Sequence, residues 1–292
     1  MRYLRRYDGE ELTSLETEYS TLPTKFITYS SNFQTSTLVR NKRYIPAEYV
    51  EMKRGQENYI KTRYRANKNT NIKIIFDLYD GDNTNGGWIL GAGSLEIFIN
   101  TGGYNQAHYG IRAATQVYNS PLFCSTQDDL GITASNLNEK NQAEIFDHKF
   151  EVTLNNQSIE IKRYSVDGSQ LLNTWRHADI SVWDNETDTQ GAIDGSIYYN
   201  TPYATIYLFV NHRAWYNNQD DGGSYIYGYT RNARIYYCKF WEGTETMREY
   251  IPIYDIVDHK YGFHETVSDT YTFGATSALF EGNTKINDYT ER

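Results

Sequence analysis

Ala233-Arg234-Ile235-Tyr236-Tyr237-Cys238-Lys239-Phe240-Trp241 alternates along its length and is rich in aromatic and β-branched side chains, the pattern of a core β-strand ending near Trp241. Period-two alternation places Ile235 and Tyr237 on one face, turned to the core. The same reading extends outward. Ala204 to Val210 (ATIYLFV) is almost continuously apolar and predicts a central strand with Ile206 and Leu208 facing inward. Asn71 to Tyr79 (NIKIIFDLY) and Ser94 to Asn100 (SLEIFIN) alternate as half-buried strands. Phe150 to Leu154 and Ser158 to Lys162 flank Asn155-Asn156-Gln157, a hairpin signal because Asn tolerates the left-handed backbone of tight turns. Polar stretches rich in Gly, Asn and Asp separate these runs, at Asp80 to Gly87, Asp184 to Gly195 and Asn217 to Gly223. Strands divided by turn signals, with few helical windows and no Pro/Ser-rich linker, predict one all-β antiparallel two-sheet jelly-roll sandwich.

The ends differ from the middle. Leu12, Leu15, Tyr19 and Leu22 are spaced for one helical face, and residues 1–45 carry more apolar surface than a solvated leader requires. That predicts an N-terminal arm for anchoring or assembly, a sandwich over 46–274, and a polar C-terminal tail over 275–292. Met1 to Asp8 lacks the apolar core of a signal peptide, which favours a protein made in a cytoplasm and released by lysis. No apolar run approaches the roughly 18 residues of a membrane helix, so no membrane insertion is expected. A formal net charge of -9 argues against nucleic-acid binding, which needs clustered Lys and Arg. Cys124 and Cys238 are too few for a disulfide framework and read as reduced thiols. The 28 tyrosines suit both a pleated half-buried surface and a contact face.

Several segments, taken in order, resemble the concanavalin-A-like (laminin-G-like) domains of phage and prophage structural proteins. They run from Gly55 to Tyr64 with Asn67 to Phe76, through Gly87-Trp88-Ile89-Leu90-Gly91-Ala92-Gly93 and the His148 to Gly168 hairpin, to Thr205 to Asn211. Arg234 to Trp241 with Arg248 to Pro252 is the most specific piece, and Ile253 to Tyr261 follows it, ending at Phe273-Gly274. The likeness spans residues 47 to 274. One loop before Tyr254-Asp255 is shorter than in the family, and Asn105 to Lys140 and Trp183 to Pro202 are longer. The resemblance implies a virion structural protein, a component of a head decoration, head fibre or tail fibre, located in the virion.

Retaining glycoside hydrolysis needs two carboxylates about 5–5.5 Å apart, which alternate positions on one strand can supply. Glu186-Thr187-Asp188-Thr189-Gln190 lacks the second carboxylate, and the Ser94 to Asn100 strand holds only Glu96. No G-x-S-x-G, H-E-x-x-H, Walker or C-x-x-C pattern is present, and the six histidines are scattered. The expectation is a chain without catalysis. No cofactor is required, although Asp80, Asp82 and Thr84 alternate oxygen donors as a calcium loop would, without the acidic twelfth ligand of an EF-hand. Turn bonding explains the same letters.

Carbohydrate binding needs an apolar ring face beside planar amides or carboxylates. Trp215, Tyr216, Asn217, Asn218 and Asp220 supply that mixture in one stretch, and Trp183 with Asp184, and Trp88 beside Asn83 and Asn85, are further candidates. The bland alternative is that each Trp closes an edge of the sandwich. The combined reading is a virion β-sandwich that meets host or mucosal glycans and forms a homo-oligomer, holding other virion proteins through residues 1–45. Two rival classes stay open: a cell-surface lectin-like module, and a glycoside hydrolase with an atypical carboxylate pair.

Overall fold

A computed structural model describes residues 43–53, 56–65, 69–78, 87–92, 95–101, 109–117, 120–125, 148–155, 158–178, 205–214, 224–229 and 232–283. Within them the chain forms strands and no helix: β1 (Tyr44–Pro46), β2 (Tyr49–Met52), β3 (Ile60–Arg65), β4 (Thr70–Leu78), β5 (Gly87–Ala92), β6 (Leu95–Thr101) and β7 (Tyr109–Val117). Next come β8 (Ser120–Ser125), β9 (Lys149–Leu154), β10 (Ser158–Tyr164), β11 (Leu171–Ala178), β12 (Thr205–Leu208) and β13 (Val210–Ala214). The last are β14 (Ser224–Tyr229), β15 (Ala233–Glu242), β16 (Glu245–Asp255), β17 (Lys260–Glu265), β18 (Thr270–Thr272) and β19 (Glu281–Asn283). The large sheet runs β11-β10-β9-β4-β15-β16-β17-β18, with β1 on β16 and β2 between β15 and β19. The small sheet runs β3-β12-β5-β6-β7-β8, and β13 pairs β14 apart from both. The paired strands are antiparallel, so the molecule is an antiparallel β-sandwich as the sequence predicts.

The inner face of the large sheet is built from alternate positions. Ile72, Ile74, Phe76 and Leu78 of β4 lie in the same buried cluster as Ile235, Cys238 and Phe240 of β15, and as Ile60, Ile89, Ile206 and Leu208 of the small sheet. Each such side chain contributes roughly 1.5–3 kcal/mol on burial before ordering costs. The hairpin at Asn155 forms as expected. Its side-chain Oδ1 accepts the Ser158 amide at 2.8 Å, and Ile159 stands opposite Leu154.

Strict alternation fails on β15. Ile235 pairs with Phe76 but Tyr237 pairs with Ile75, so Tyr236 is an extra residue and the strand bulges. Tyr237 therefore does not share a face with Ile235. Tyr236 and Tyr237 join Ile75, Ile251 and Ile253 in a second buried cluster on the outer face, flanked by Tyr44, Tyr49, Tyr271 and Phe273. The Ala204 to Val210 run is likewise shorter as a strand than its apolarity implies. Phe209 adopts φ +67°, which ends β12 at Leu208, and its amide donates to the Ile89 carbonyl at 2.8 Å.

The first boundary drawn from the sequence falls inside β1, and β19 lies beyond the second. Arg43, in the expected arm, grips Asp255 through Nε and Nη2 at 2.9 and 2.7 Å, and β1 pairs β16 directly after it. Residues 1–42 lie outside the described residues. In the expected tail, β19 pairs β2, and Phe280 is buried with its ring 5.2 Å from that of Phe209. Phe280 carries that stretch into the main core, while Leu279 beside it stays exposed.

Residues 274–278 are locked by the buried Asn58. Its Oδ1 accepts the amides of Ala275 and Thr276 at 3.0 and 3.2 Å, and its Nδ2 donates to the Ala278 carbonyl at 2.5 Å. Gly274 has φ +107°, and a Cβ there would stand 2.2 Å from the Asn58 amide nitrogen. Gly274→Ala should therefore cost about 1–3 kcal/mol through overpacking and strain. A urea midpoint unchanged from the parent would refute this account of the loop.

Candidate functional site

The residues singled out from the sequence fall unevenly. Trp215, Tyr216, Asn217, Asn218, Asp220, Trp183 and Asp184 lie outside the described residues, as do Asp80, Asp82 and Thr84. Trp88 is described: it lies half-buried in β5, opposite Phe98. Cys238 is a free thiol in the core, where burial pushes its ionisation well above the ordinary range. Among the described residues, no group of three or more His, Cys, Asp or Glu side chains is placed to hold a metal. No helix among them is long and apolar enough to cross a membrane.

A different site emerges where β3, the edge of the small sheet, lies over β16, β17 and β18. It starts with Thr62. Lys61 pairs with Tyr207 and Arg65 with Thr205, so three residues of β3 stand against Ile206 alone. The Thr62 hydroxyl fills the gap in the ladder. It donates to the Ile206 carbonyl at 2.6 Å and accepts the Tyr64 amide at 3.2 Å, replacing strand-to-strand bonds that the bulge removes. Tyr250 then crosses from the large sheet, its Oη donating to the Thr62 carbonyl at 2.7 Å. At the tip of the bulge Arg63 takes φ +54°, a left-handed conformation that costs a residue of this kind on the order of 1–3 kcal/mol.

Below and beside the bulge is a cavity of about 680 Å³. Thr62, Arg63, Arg248, Tyr250, Glu265 and Ser268 line it, together with Thr270, Tyr271, Thr272, Gly274 and Ala275. Lys61 also borders it, but its ammonium lies 5.9 Å over the Tyr207 ring. Arg248 spends one bond on its neighbour's carbonyl, Nη1 to Met247 O at 2.6 Å. Among the described residues no carboxylate lies within ion-pairing distance of Arg63 or Arg248.

Glu265 is the acid in the cavity, and its oxygens are committed. Oε1 accepts the amides of Glu249 and Val267 at 3.3 and 3.0 Å. Oε2 accepts the Ser268 amide at 2.9 Å and the Ser268 hydroxyl. These bonds fix the turn at 266–269, and the Ser268 and Thr270 hydroxyls stand 2.9 Å apart on the rim. Burial drives the Tyr250 hydroxyl far above its usual range and Glu265 adds to this, while Arg248 and Arg63 pull the other way. Nothing in the sequence flagged the cavity: Lys61, Arg63 and Arg65 alternate with buried residues and read as the solvated face of an ordinary strand.

No family model matches the chain. No curated protein matches it either. Solved structures do. Full-length tailspike protein 2 of an Escherichia coli O157:H7 bacteriophage is 8% identical with a TM-score of 0.35, covering 67% of this chain and 22% of that one. The enzymatically active domain of a bacteriophage tailspike protein 2 is 8% identical at a TM-score of 0.33, covering 64% of this chain and 24% of that one. A legume lectin-like domain from Entamoeba histolytica is 9% identical at 0.33, covering 70% of this chain and 92% of that domain. The chain thus spans about a quarter of the length of the tailspike chains it matches. The expectation of a chain without catalysis is corrected at this point: an enzymatically active domain stands among the similar structures, so absent sequence motifs do not exclude turnover.

The Tyr250 bond is one tie between the sheets beside the cavity. Tyr250→Phe leaves the Thr62 carbonyl buried without that donor and should cost about 1–3 kcal/mol. Thermal unfolding of the variant checks it, and an unchanged midpoint would show that the tie is dispensable.

Proposed function

We propose that this chain is a carbohydrate-binding β-sandwich of a phage particle. The observation that carries the reading is the cavity at β3, a preformed polar concavity on a sandwich that fills its own core without it. Its volume lies within the roughly 300–1,000 Å³ of small-ligand sites, where a few fixed polar groups set orientation. Sugars present adjacent hydroxyls that donate and accept together. The Thr272 hydroxyl offers the same dual capacity, while Ser268, whose proton goes to Glu265, and Thr270, bonded to Ser268, offer acceptor lone pairs. The aromatic stretch at Trp215 and Tyr216 belongs to the proposal as a ring face for the apolar side of a sugar. The phage assignment rests on the sequence: the segments that resemble phage laminin-G-like domains fall in order on β3 to β17 of one sandwich.

Assembly is part of the same reading, with the N-terminal residues docking on a second copy or on other virion proteins. Two measurements test the proposal. On a glycan array the full chain should bind a defined subset of glycans, and a chain that binds none would overturn the carbohydrate reading. Removal of residues 1–42 spares Arg43, which holds Asp255. The truncated protein should fold and stay monomeric in light scattering while the full chain assembles. Assembly that survives truncation would move the interface onto the sandwich.

A further inference from the structure

The cavity combines features that a neutral sugar site does not need. Two guanidinium groups border it without carboxylate partners among the described residues, and the acid beside them is saturated by the amides and hydroxyl of its own turn. Arg63 is also held in a backbone conformation that Asn or Gly would adopt with less strain. A folded chain has no structural reason to place arginine there: its side chain is exposed and buries no core surface. Strain of this kind gathers at functional sites, and bulges are common beside them. Guanidinium is the group whose planar pair of donors matches a carboxylate, and it keeps its charge throughout the physiological range.

We infer that the cavity takes an acidic sugar, with the ring carboxylate held between Arg63 and Arg248 and the sugar hydroxyls against Ser268, Thr270 and Thr272. This rests on the carbohydrate reading and narrows it to one ligand class. Glu265 faces the same space, so the ligand's carboxylate sits on the arginine side, and the Glu265 turn meets the hydroxyls. Attraction of a partly exposed pair of arginines for the anion weakens as salt rises.

The test uses the full chain and oligogalacturonate, its methyl ester and neutral dextran oligosaccharides, titrated by calorimetry at low and high salt. Oligogalacturonate should bind at least tenfold more tightly than its methyl ester, and more weakly at high salt. Arg63→Asn and Arg248→Gln should each lower that affinity tenfold or more. Arg63→Asn should keep or raise the melting temperature, by roughly 2–4 °C where the strain is released. Equal affinity for acid and ester, or binding of the dextran alone, overturns the acidic-sugar inference and leaves the carbohydrate reading standing. A fall in melting temperature for Arg63→Asn with affinity unchanged also overturns it, because Arg63 would then be structural. A chain that binds none of the three, and no glycan on the array, overturns both.

Discussion

The central strand β15 is covered on both faces, and the molecule is arranged around that constraint. Along one edge it pairs with β4 over Ala233 to Glu242; along the other it pairs first with β2 and then with β16. A regular strand with both faces buried would need an apolar residue at every position. The extra residue at Tyr236 solves this differently. It sends two successive tyrosines to the outer face and returns Cys238 and Phe240 to the inner one. The bulge thereby sets the register of β15 against both neighbours.

Tyrosine is the side chain that makes the second face workable. Tyr236 Oη donates to Asp77 at 2.6 Å, and Tyr237 Oη to Glu249 at 2.6 Å. Each ring fills apolar volume while its hydroxyl donates to a carboxylate. Burial first, and then Asp77, holds the Tyr236 hydroxyl well above its ordinary ionisation range, so it remains a donor. Arg234 completes the arrangement, bonding Glu51 at 2.8 Å while its guanidinium lies 4.8 Å over the Tyr49 ring. The abundance of tyrosine thus has a packing explanation on the large sheet, separate from any contact role.

The cavity is a consequence of how the sheets are tied at one edge. Arg63 stays outward like Lys61 and Arg65, yet the β3–β12 ladder is broken at its position. Because Thr62 closes the ladder with its side chain, the backbone between Lys61 and Arg65 is free to loop, and Tyr250 finds the Thr62 carbonyl as its acceptor. Asn58 then secures the 274–278 segment against the entry to β3, which defines the far rim. The site is made of bonds between segments about 140 to 220 residues apart in sequence.

The sequence by itself determined the strand-rich class, the antiparallel sandwich, the β9–β10 hairpin and the inner-face residues Ile206, Leu208 and Ile235. These follow from side-chain period and turn chemistry, which act over a few residues and are visible in any window of the chain. Tertiary structure alone decided the face of Tyr237, the end of β12 at Phe209, the seating of Phe280 and the cavity at Arg63. Each depends on a backbone departure or a partner distant in sequence: a bulge, a positive φ, a hydroxyl substituting for a ladder amide. Thr62-Arg63-Tyr64 reads identically whether it lies in a regular strand or a bulged one. Only the number of residues opposite it on β12 distinguishes the two, and that number is a property of the pairing.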